Sequence, residues 1–252
     1  MPQPVPALRL AGDATDPITR ALIEEAPIEL RVQQIPYVTL MATPTDLPDL
    51  ATGFALTDGL AAPSEIQTIT ETGTVVDLTL APAAFQRFLQ RRQSRVTRSY
   101  SSCGVCGVES ASDLPQIARV APLPIPRAAI RQALAALAAH QPLNHATGAA
   151  HAAAYASPSG EILLAREDVG RHNALDKLIG ARLRANDTRP GFCLITSRCS
   201  SEMVQKATAA GFPLLVAISA PTTLAVEQAK AANLTLIALA RPDSQLLFTP
   251  SL

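Results

Sequence analysis

The stretch FCLITSRCSSEMVQKATAAGFPLLVAIS, residues 192–219, indicates the fold most clearly. Its first apolar run, Phe192–Ser197, predicts a strand, Ser201–Ala210 predicts a helix, and Leu214–Ser219 predicts a second strand. A predicted helix over Thr222–Ala232 and a predicted strand over Leu234–Ala240 continue the alternation. Short β-branched strands separated by helices are typical of a parallel sheet covered by helices, with functional loops at the carboxyl ends of the strands.

The upstream segments predict the rest of this core and a second, smaller lobe. The remaining core elements are a helix over Pro126–His140, two strands over Ala152–Tyr155 and Ile162–Arg166 that pair around the turn Ser157–Gly160, and a helix over His172–Leu183. The lobe elements are strands and helices in mixed order, over Ile28–Val32, Ile35–Met41, Thr45–Leu56, Thr74–Leu80 and Pro82–Arg92. We therefore expect an α/β core over residues 121–252 and an N-terminal α+β lobe over 20–120. Residues 1–19 are expected to form a poorly ordered tail or an edge strand.

The composition of the 252-residue chain excludes several classes of protein. Lys and Arg together number 21, as do Asp and Glu, so the zero net charge gives no indication of a nucleic-acid or membrane partner. The start lacks the basic and apolar regions of a signal peptide, and no apolar run reaches the roughly 20 residues that span a bilayer. We expect a soluble cytoplasmic protein whose four cysteines do not form a disulfide framework.

The segment SYSSCGVCGV, residues 99–108, carries Cys103 and Cys106 as a C-x-x-C pair, each followed by a glycine. Glycine reaches backbone conformations that are closed to other residues, so the pair is predicted to lie on a bent, mobile loop. Basic residues precede the loop, and nearby cations favour the thiolate form of cysteine. They are Arg87, Arg91, Arg92, Arg95 and Arg98.

The C-x-x-C pair has three interpretations. Structural zinc needs four ligands, and the other two cysteines, Cys193 and Cys199, are too irregularly spaced to form a second pair. A thioredoxin-like redox pair usually opens a helix after a strand, a context that these glycines fit poorly. A nucleophilic thiol that carries a group between two sites fits best. We interpret Cys193 as a core thiol and Cys199 as a small packing residue.

A second segment, REDVGRHNALDK over residues 166–177, concentrates ionisable side chains at a predicted strand end. Gly170 is predicted to permit a tight bend there, and His172, Asp176 and Gly180 share one face of the following helix. One interpretation is a strand–helix corner locked by salt bridges. The other is a binding site, because sites form at the carboxyl ends of strands.

Two predicted helices begin with residues that can cap a helix and also bind an anion. Ser200 or Ser201 is expected to cap the first helix, and Thr222 or Thr223 repeats the pattern one unit later. With Arg198 beside the first helix, both N termini also offer backbone N–H groups to a phosphate. A lone histidine such as His151 is more often structural than catalytic, and it gains interest from the Thr-Gly turn before it.

Together these segments resemble the FdhD family of formate dehydrogenase accessory sulfurtransferases, over about residues 25–245. The resemblance rests on Thr43-Pro with Gly53-Phe, Ser102-Cys-Gly-Val-Cys-Gly107, Thr147-Gly with His151, Glu167–Lys177, Ser197-Arg with Ser201–Lys206, and Thr223–Val226. It implies a homodimer and a fold similar to the cytidine deaminase class, with a three-layer core and a mixed sheet. The zinc motifs of deaminases are absent, since Ala152-Ala153 follows His151 and a serine precedes Cys103.

The resemblance also implies a function. Cys103 would accept sulfur as a persulfide from a cysteine desulfurase, with Cys106 as its assisting partner. The sulfur would pass to the molybdenum or tungsten of the bis(molybdopterin guanine dinucleotide) cofactor before that cofactor enters formate dehydrogenase. The cofactor is a bound substrate in this scheme, and no tightly held structural metal is expected. A chaperone that delivers the cofactor without thiol chemistry is the alternative.

The family places cofactor contacts just after the last strand. In this sequence they are Leu239, Ala240, Arg241, Pro242, Asp243 and Ser244. Because Asp243 and Ser244 stand where the family commonly has glycine and a basic residue, Arg241 is the expected phosphate contact. Helix N termini and nearby basic or small residues would supply further phosphate donors. These further candidates are His151, Gly170, Arg171, His172, Arg198, Ser200 and Thr222.

Overall fold

The computed structural model describes residues 2–95 and 117–249, and it confirms the predicted mixed α/β architecture. Within these residues the strands form sheets of two, six and four strands. Cys103 and Cys106 lie outside the described residues, as does the whole segment 99–108. No helix within 2–95 or 117–249 is long and apolar enough to cross a membrane.

A two-stranded antiparallel hairpin begins the chain, with strands β1 (Gln3–Ala11) and β2 (Ala14–Leu22). Residues 3–11 and 14–19 lie in strands, as the edge-strand alternative predicts, and not in a poorly ordered tail. Proline cannot donate to a strand ladder, but Pro4, Pro6 and Pro17 all fall on the same alternate set of paired positions. These are the positions whose amides face away from the partner strand, so the ladder loses no hydrogen bond.

A four-stranded mixed sheet and two helices form the N-terminal lobe. The elements are β3 (Ala26–Val32), β4 (Ile35–Ala42), α1 (Leu47–Thr57), β5 (Ile66–Thr72), β6 (Val75–Leu80) and α2 (Pro82–Arg95). The strand order is β4-β3-β6-β5, with β3 and β6 parallel and the other pairs antiparallel. Ile28, Leu50 and Phe88 are fully buried between the sheet and the helices.

A six-stranded sheet and five helices form the larger part of the described chain. The elements are α3 (Arg127–Ala136), α4 (Pro142–Thr147), β7 (His151–Ala156), β8 (Ile162–Asp168), α5 (Arg171–Arg184), β9 (Phe192–Ile195), α6 (Ser201–Ala209), β10 (Leu214–Ala217), α7 (Thr223–Ala231), β11 (Thr235–Ala238) and β12 (Leu246–Leu247). The strand order is β12-β11-β10-β9-β7-β8. Strands β9, β10 and β11 are parallel, whereas β7 is antiparallel to both neighbours and β12 is antiparallel to β11. The sheet is therefore mixed, unlike the parallel sheet that the strand–helix alternation alone predicts.

Helices cover both faces of this sheet, which gives three layers. Alternate residues of β10 point to opposite faces, so Leu215 joins the cluster with Leu175 and Val204 of α5 and α6. Val216 joins the other cluster with Ile130 of α3. Both clusters are almost completely buried.

Helix α1 of the N-terminal lobe packs closely against α5 of the core. A Cβ atom on Gly180 would lie 1.8 Å from the carbonyl oxygen of Asp49, and one on Gly53 would lie 1.9 Å from that of Asp176. The helices can approach this closely because neither glycine carries a side chain. The predicted boundary near residue 120 stays a prediction.

Candidate functional site

The candidate cofactor contacts lie along one edge of the six-stranded sheet, here called the strand-end edge. At this edge β8, β9, β10 and β11 end, and β7 begins because it runs in the opposite direction. Helices α5, α6 and α7 start beside it. His151 opens β7, Gly170, Arg171 and His172 open α5, Arg198 and Ser200 precede α6, Thr222 precedes α7, and Leu239–Ser244 follow β11. The topology therefore brings these residues to one edge, and their binding role stays a prediction.

Backbone hydrogen bonds join the loops that follow β9, β10 and β11. The N–H of Cys199 donates to the carbonyl of Ala220 at 3.1 Å, and the N–H of Thr222 donates to the carbonyl of Cys199 at 3.0 Å. The N–H of Leu239 donates to the carbonyl of Ser219 at 3.2 Å. Leu239 itself has a left-handed φ of 51° and is 42% exposed. The three loops therefore form one connected surface beside the helix N termini.

The N termini of α6 and α7 differ in whether the N-cap side chain accepts a hydrogen bond from a backbone N–H of the first turn. Oγ1 of Thr222 accepts a hydrogen bond from the N–H of Ala225 at 3.2 Å, as predicted for a cap. Ser200 occupies the N-cap position of α6, but its hydroxyl makes no cap hydrogen bond. Its Oγ is buried and has no hydrogen-bond partner among the described residues. Ser200 therefore occupies the predicted cap position without capping through its side chain, although the N–H of Met203 donates to its carbonyl oxygen at 3.1 Å.

Three arginines on the strand-end edge have different partners. Arg198 is exposed and Arg171 is half-buried, and neither has a carboxylate within ion-pair distance in the part of the chain that the structure describes. Nη1 of Arg241 donates to the carbonyl oxygens of Ile218 at 2.7 Å and Ala240 at 2.8 Å. Arg241 thus joins the loops after β10 and β11. The expectation that Arg241 contacts a phosphate stays a prediction, and Arg171 and Arg198 are further candidates for that role.

Two histidines lie near each other on the strand-end edge. Nε2 of His172 is 2.8 Å from Oε2 of Glu202 in the first turn of α6, within ion-pair distance but not aligned for a ring N–H hydrogen bond. Burial, together with the charges of Arg171 and His172, lowers the pKa of His151 from its ordinary value of 6.5. His151 is therefore neutral at pH 7, where it can donate or accept a hydrogen bond.

Asp168, Lys177 and Asn173 form a closed network with Thr43 of the N-terminal lobe. Nζ of Lys177 lies 2.6 Å from Oδ2 of Asp168 and donates to the carbonyl of Thr43 at 2.9 Å. Oδ2 of Asp168 also accepts from the N–H of Thr43 at 3.0 Å, and its Oδ1 accepts from Gly170 N–H at 2.7 Å and Asn173 Nδ2 at 3.1 Å. Asp168 and Lys177 are both 0% exposed. Because their polar groups are satisfied internally, these residues form the locked strand–helix corner and are not available to a ligand.

Two further residues of the 166–177 segment have structural roles. The chain bends at residues 169–170 as predicted, but Gly170 has φ −99° and ψ 124°, a conformation that other residues also adopt. A Cβ there would lie 2.8 Å from Nδ2 of Asn173, so glycine leaves space for that amide. The buried carboxylate of Asp176 binds Nζ of Lys206 at 2.7 Å and accepts from Oγ1 of Thr57 at 2.8 Å, which ties α5 to α6 and α1.

The two described cysteines lack the properties of a reactive thiol. Cys193 and Cys199 are both fully buried, as expected for packing residues. Burial raises the pKa of Cys199 to about 12 and also raises the pKa of Cys193. Both thiols are therefore protonated at neutral pH. Within residues 2–95 and 117–249, no group of three or more His, Cys, Asp or Glu side chains could hold a metal ion.

Two cavities lie away from the candidate contacts. One of about 360 Å³ lies at the opposite edge of the six-stranded sheet, lined by Arg182, Asp187 and apolar residues including Phe212. The guanidinium of Arg182 lies 3.5 Å from the ring centre of Tyr155. The other, of about 340 Å³, lies beside Thr45. Neither is lined by a candidate cofactor contact, so the candidate site is a surface distinct from both cavities.

Sequence reasoning missed a polar contact that fixes the region beside β8. The carboxylate of Glu167 accepts from the N–H groups of Leu143 and Asn144, each at 2.7 Å, and so caps α4. Pro142 at the first position of α4 is the local signal for this helix. The capping carboxylate lies more than twenty residues further along the chain, so no local pattern reveals it.

The fold and the strand-end edge define a class of protein. It is a mixed α/β protein in which helix N termini lie at the carboxyl ends of strands beside two arginines, Arg171 and Arg198, that have no carboxylate partner among the described residues. The sequence profile of the FdhD/NarQ family matches residues 23–251. The chain therefore belongs to the FdhD/NarQ family, as its motifs predict.

Individual relatives agree with this assignment. The chain is similar to the sulfur carrier protein FdhD of Bordetella bronchiseptica, with 42% identity over 238 residues, 90% of this chain and 84% of the relative. It is 44% identical to the sulfur carrier protein FdhD of Variovorax paradoxus over 237 residues, 89% of this chain and 83% of the relative. A crystal structure from Desulfotalea psychrophila, described as a formate dehydrogenase accessory protein, has a TM-score of 0.80 and 21% identity over 99% of this chain and 97% of that chain. The structural likeness extends the fold assignment to almost the whole chain.

Proposed function

We propose that this protein is a sulfurtransferase that carries sulfur as a persulfide on Cys103 for the activation of a formate dehydrogenase. The observation that carries the proposal is that the other two cysteines of the chain, outside the C-x-x-C pair, have buried, protonated thiols. Cys193 and Cys199 are buried and protonated, which leaves Cys103 and Cys106 as the candidates for sulfur chemistry. The relatives named as sulfur carrier proteins support the same assignment.

The proposed donor is a cysteine desulfurase that holds a persulfide on its own cysteine. The Cys103 thiolate attacks the terminal sulfur of that persulfide. A sulfur–sulfur bond forms on Cys103, the bond in the donor breaks, and the donor cysteine leaves as a thiolate.

Delivery of this sulfur as sulfide requires a two-electron reduction, for which Cys106 is the proposed source. Its thiolate attacks the inner sulfur of the Cys103 persulfide and releases hydrosulfide. A Cys103–Cys106 disulfide remains, and a thiol reductant must reduce it before the next cycle.

The proposed acceptor is the molybdenum of the bis(molybdopterin guanine dinucleotide) cofactor, which binds as a substrate. Its several phosphates need donors, and the strand-end edge supplies them at the N termini of α6 and α7 and at Arg171 and Arg198. The turn Leu239–Ser244 borders this surface and is closed by a hydrogen bond from the N–H of Arg241 to the carbonyl of Ser244 at 2.7 Å. Neutral His151 and half-buried His172 complete the proposed contacts.

Three finer statements belong to the same proposal. The helix–sheet–helix layering supports a relationship to the cytidine deaminase fold. The family resemblance supports a homodimer, and it supports a cytoplasmic location with a desulfurase and formate dehydrogenase as partners.

Removal of single thiols tests the proposal in cells that lack their own copy of the protein and must mature formate dehydrogenase. Cys103→Ala is expected to abolish formate dehydrogenase activity, because the buried, protonated thiols of Cys193 and Cys199 cannot replace its thiolate. Cys199→Ala is the matched control and is expected to keep the activity, because that thiol is buried and protonated. Full activity with Cys103→Ala would contradict the assignment of the persulfide to this residue.

Delivery of the cofactor without thiol chemistry is the second candidate function. The observation that favours it is the strand-end edge itself, where the N termini of α6 and α7 and the side chains of Arg171 and Arg198 could hold phosphates without any thiol. In that case Cys103→Ala would retain activity, whereas Arg198→Ala would lose it.

A further inference from the structure

The cavity of about 360 Å³ at the edge of the six-stranded sheet opposite the strand-end edge is here called the Arg182 cavity. Its volume lies in the range of about 300–1,000 Å³ that is usual for small-molecule pockets. The C-terminal part of α5, the loop after α5 and the segment after α6 form its walls. Buried Ile179 and Phe212 and half-buried Leu123 and Leu183 give it an apolar lining. The cavity can therefore enclose the apolar part of a ligand.

The guanidinium of Arg182 has donors that the protein does not use. It stacks on the ring of Tyr155, 3.5 Å from the ring centre, and 11% of the side chain is exposed. Nη2 donates to the carbonyl oxygens of Asp187 at 2.9 Å and Arg189 at 3.1 Å. Nη1 donates no hydrogen bond among the described residues, and the buried Nε is 3.8 Å from Oδ2 of Asp187, too far for one. Unused donors on a largely buried guanidinium carry a desolvation cost that an acceptor in the cavity would remove.

The charged side chains around the cavity leave one positive charge in excess. Among the described residues, those that line it are Arg182, Asp187 and Arg189. Oδ1 of Asp187 accepts from Nε of Arg189 and Oδ2 accepts from its Nη2, each at 2.8 Å. These hydrogen bonds lower the pKa of Asp187 to about 2, so its carboxylate is charged and already paired at neutral pH. The lining therefore favours an anion over a cation.

The helix C termini beside the cavity do not reverse this preference. The last carbonyl groups of a helix carry partial negative charge, and they would attract a cation if they were free. At the end of α5, the carbonyl of Arg182 accepts from the N–H of Asp187 at 2.9 Å. At the end of α6, the carbonyl of Ala207 accepts from the N–H of Phe212 at 3.0 Å. Because backbone N–H groups occupy these carbonyls, Arg182 sets the charge of the ligand that fits.

Hydrogen bonds hold the loop 187–191, which forms the rim of the cavity. The hydroxyl of Tyr155 donates to the carbonyl of Arg189 at 3.0 Å, and the N–H of Arg189 donates to Oδ1 of Asp187 at 3.1 Å. Nη2 of Arg182 fixes the same loop through its two carbonyl acceptors. A rim held in this way loses little conformational entropy when a ligand binds, which favours affinity.

We propose that the Arg182 cavity binds a small organic monocarboxylate, whose carboxylate accepts a hydrogen bond from Arg182 and whose apolar body packs against the lining. The apolar contacts are Leu123, Ile179 and Leu183. One excess positive charge matches one carboxylate, whereas a phosphate monoester carries nearly two negative charges at neutral pH. The inference does not rest on the proposed function, because no candidate cofactor contact lines this cavity.

An NMR titration of the full chain with 3-phenylpropionate, observed at labelled isoleucine and leucine methyl groups, tests the proposal. The methyl signals of Leu123, Ile179 and Leu183 are expected to shift and saturate, whereas those of Leu30 and Leu78 in the N-terminal lobe stay unchanged. The amide, 3-phenylpropionamide, has the same skeleton without the charge. It is expected to bind at least about tenfold more weakly, because the charge-assisted hydrogen bond is lost. The amine, 3-phenylpropylamine, has the opposite charge and is expected not to bind.

Substitutions of exposed Thr188 at the rim test the charge preference without removing a buried group. Thr188→Glu cancels the excess positive charge and is expected to weaken 3-phenylpropionate binding by about fivefold. Thr188→Gln is the matched control of similar size, and it is expected to bind as the wild type does. Arg182→Met removes the donor and is expected to abolish the saturable shifts. The Thr188 pair keeps the test decisive if the loss of Arg182 disturbs the rim.

Several titration results would overturn the proposal. One is the absence of saturable shifts with 3-phenylpropionate up to about 20 mM, where even a weak ligand of this size binds. Others are equal affinities for the carboxylate and the amide, or binding of the amine. Equal affinities of the Thr188→Glu and Thr188→Gln variants for 3-phenylpropionate would also contradict it, because charge would then play no part in binding.

Discussion

At the residue scale, the ionisable side chains of the candidate site separate into those that hold the fold and those that face outward. Asp168 and Lys177 are completely buried and paired, whereas Arg198 is exposed at the strand-end edge. The sequence shows that many ionisable residues lie near residue 170, but it does not show which of them are buried and paired and which face outward. Lys177 donates to Thr43, which lies 134 residues away, so the sequence around Lys177 carries no sign of its partner.

Removal of the Arg198 side chain is expected to weaken binding of GDP, used as a probe for the guanine dinucleotide part of the cofactor, by about tenfold. A charge-assisted hydrogen bond to a phosphate contributes about 1.5 kcal/mol or more, which corresponds to that factor. Isothermal titration calorimetry of Arg198→Ala measures the change. Lys230→Ala is the control, because it also removes one positive charge, but from the last turn of α7, at the end of that helix away from the strand-end edge. An equal loss in both variants, or none in Arg198→Ala, would show that Arg198 does not contact the phosphates.

At the element scale, most strands and helices of the larger part follow from the sequence. The strand–helix alternation over residues 192–240 predicts β9, α6, β10, α7 and β11 to within about two residues of their ends. The antiparallel pairing of β7 with β8 follows from the short turn between them. The antiparallel pairing of β7 with β9 could not be predicted, because the strand–helix alternation carries no information on it. Placement of the candidate contacts on one edge follows from the strand-end rule.

The elements that the sequence does not reveal have weak or distant signals. Strand β5 contains a register shift between Ile66 and Thr68, which breaks the period of two on which strand prediction depends. Helix α4 has six residues, and its cap comes from Glu167 on another strand. The prolines of β1 and β2 obscure the hairpin, although each falls where the ladder tolerates it.

The crossing of α1 and α5 gives a prediction about stability. Gly180→Ala is expected to lower the free energy of unfolding by about 3 kcal/mol or more, because its Cβ would overlap the backbone of Asp49. The free-energy cost of this clash exceeds the stabilisation of about 1 kcal/mol that alanine gives over glycine in a helix. Urea denaturation measures the difference.

Gly211→Ala is the control for this experiment. No atom lies within 4 Å of its added Cβ, so it carries the cost of a left-handed backbone, about 1–2 kcal/mol, without a clash. A Gly180→Ala variant as stable as the wild type would show that the two helices can move apart at little cost.

At the scale of the whole molecule, the strand-end edge of the large sheet brings together candidate cofactor contacts that lie far apart in the second half of the sequence. The N-terminal lobe supports that edge, because Thr43 completes the network of Asp168 and Lys177 beside the start of α5. The candidate binding groups and the candidate thiols therefore come from different parts of the sequence. The proposed transfer requires that sulfur on Cys103 reach a cofactor bound at the strand-end edge.

Mass spectrometry of the full chain after incubation with a cysteine desulfurase and cysteine tests this transfer most directly. We predict the gain of one sulfur atom, removable by a thiol reductant and assigned to Cys103 by peptide mapping. The gain should persist in Cys199→Ala and disappear in Cys103→Ala. With a desulfurase that demonstrably releases sulfur from cysteine, the absence of added sulfur on both Cys103 and Cys106 would contradict the proposed sulfur carrier.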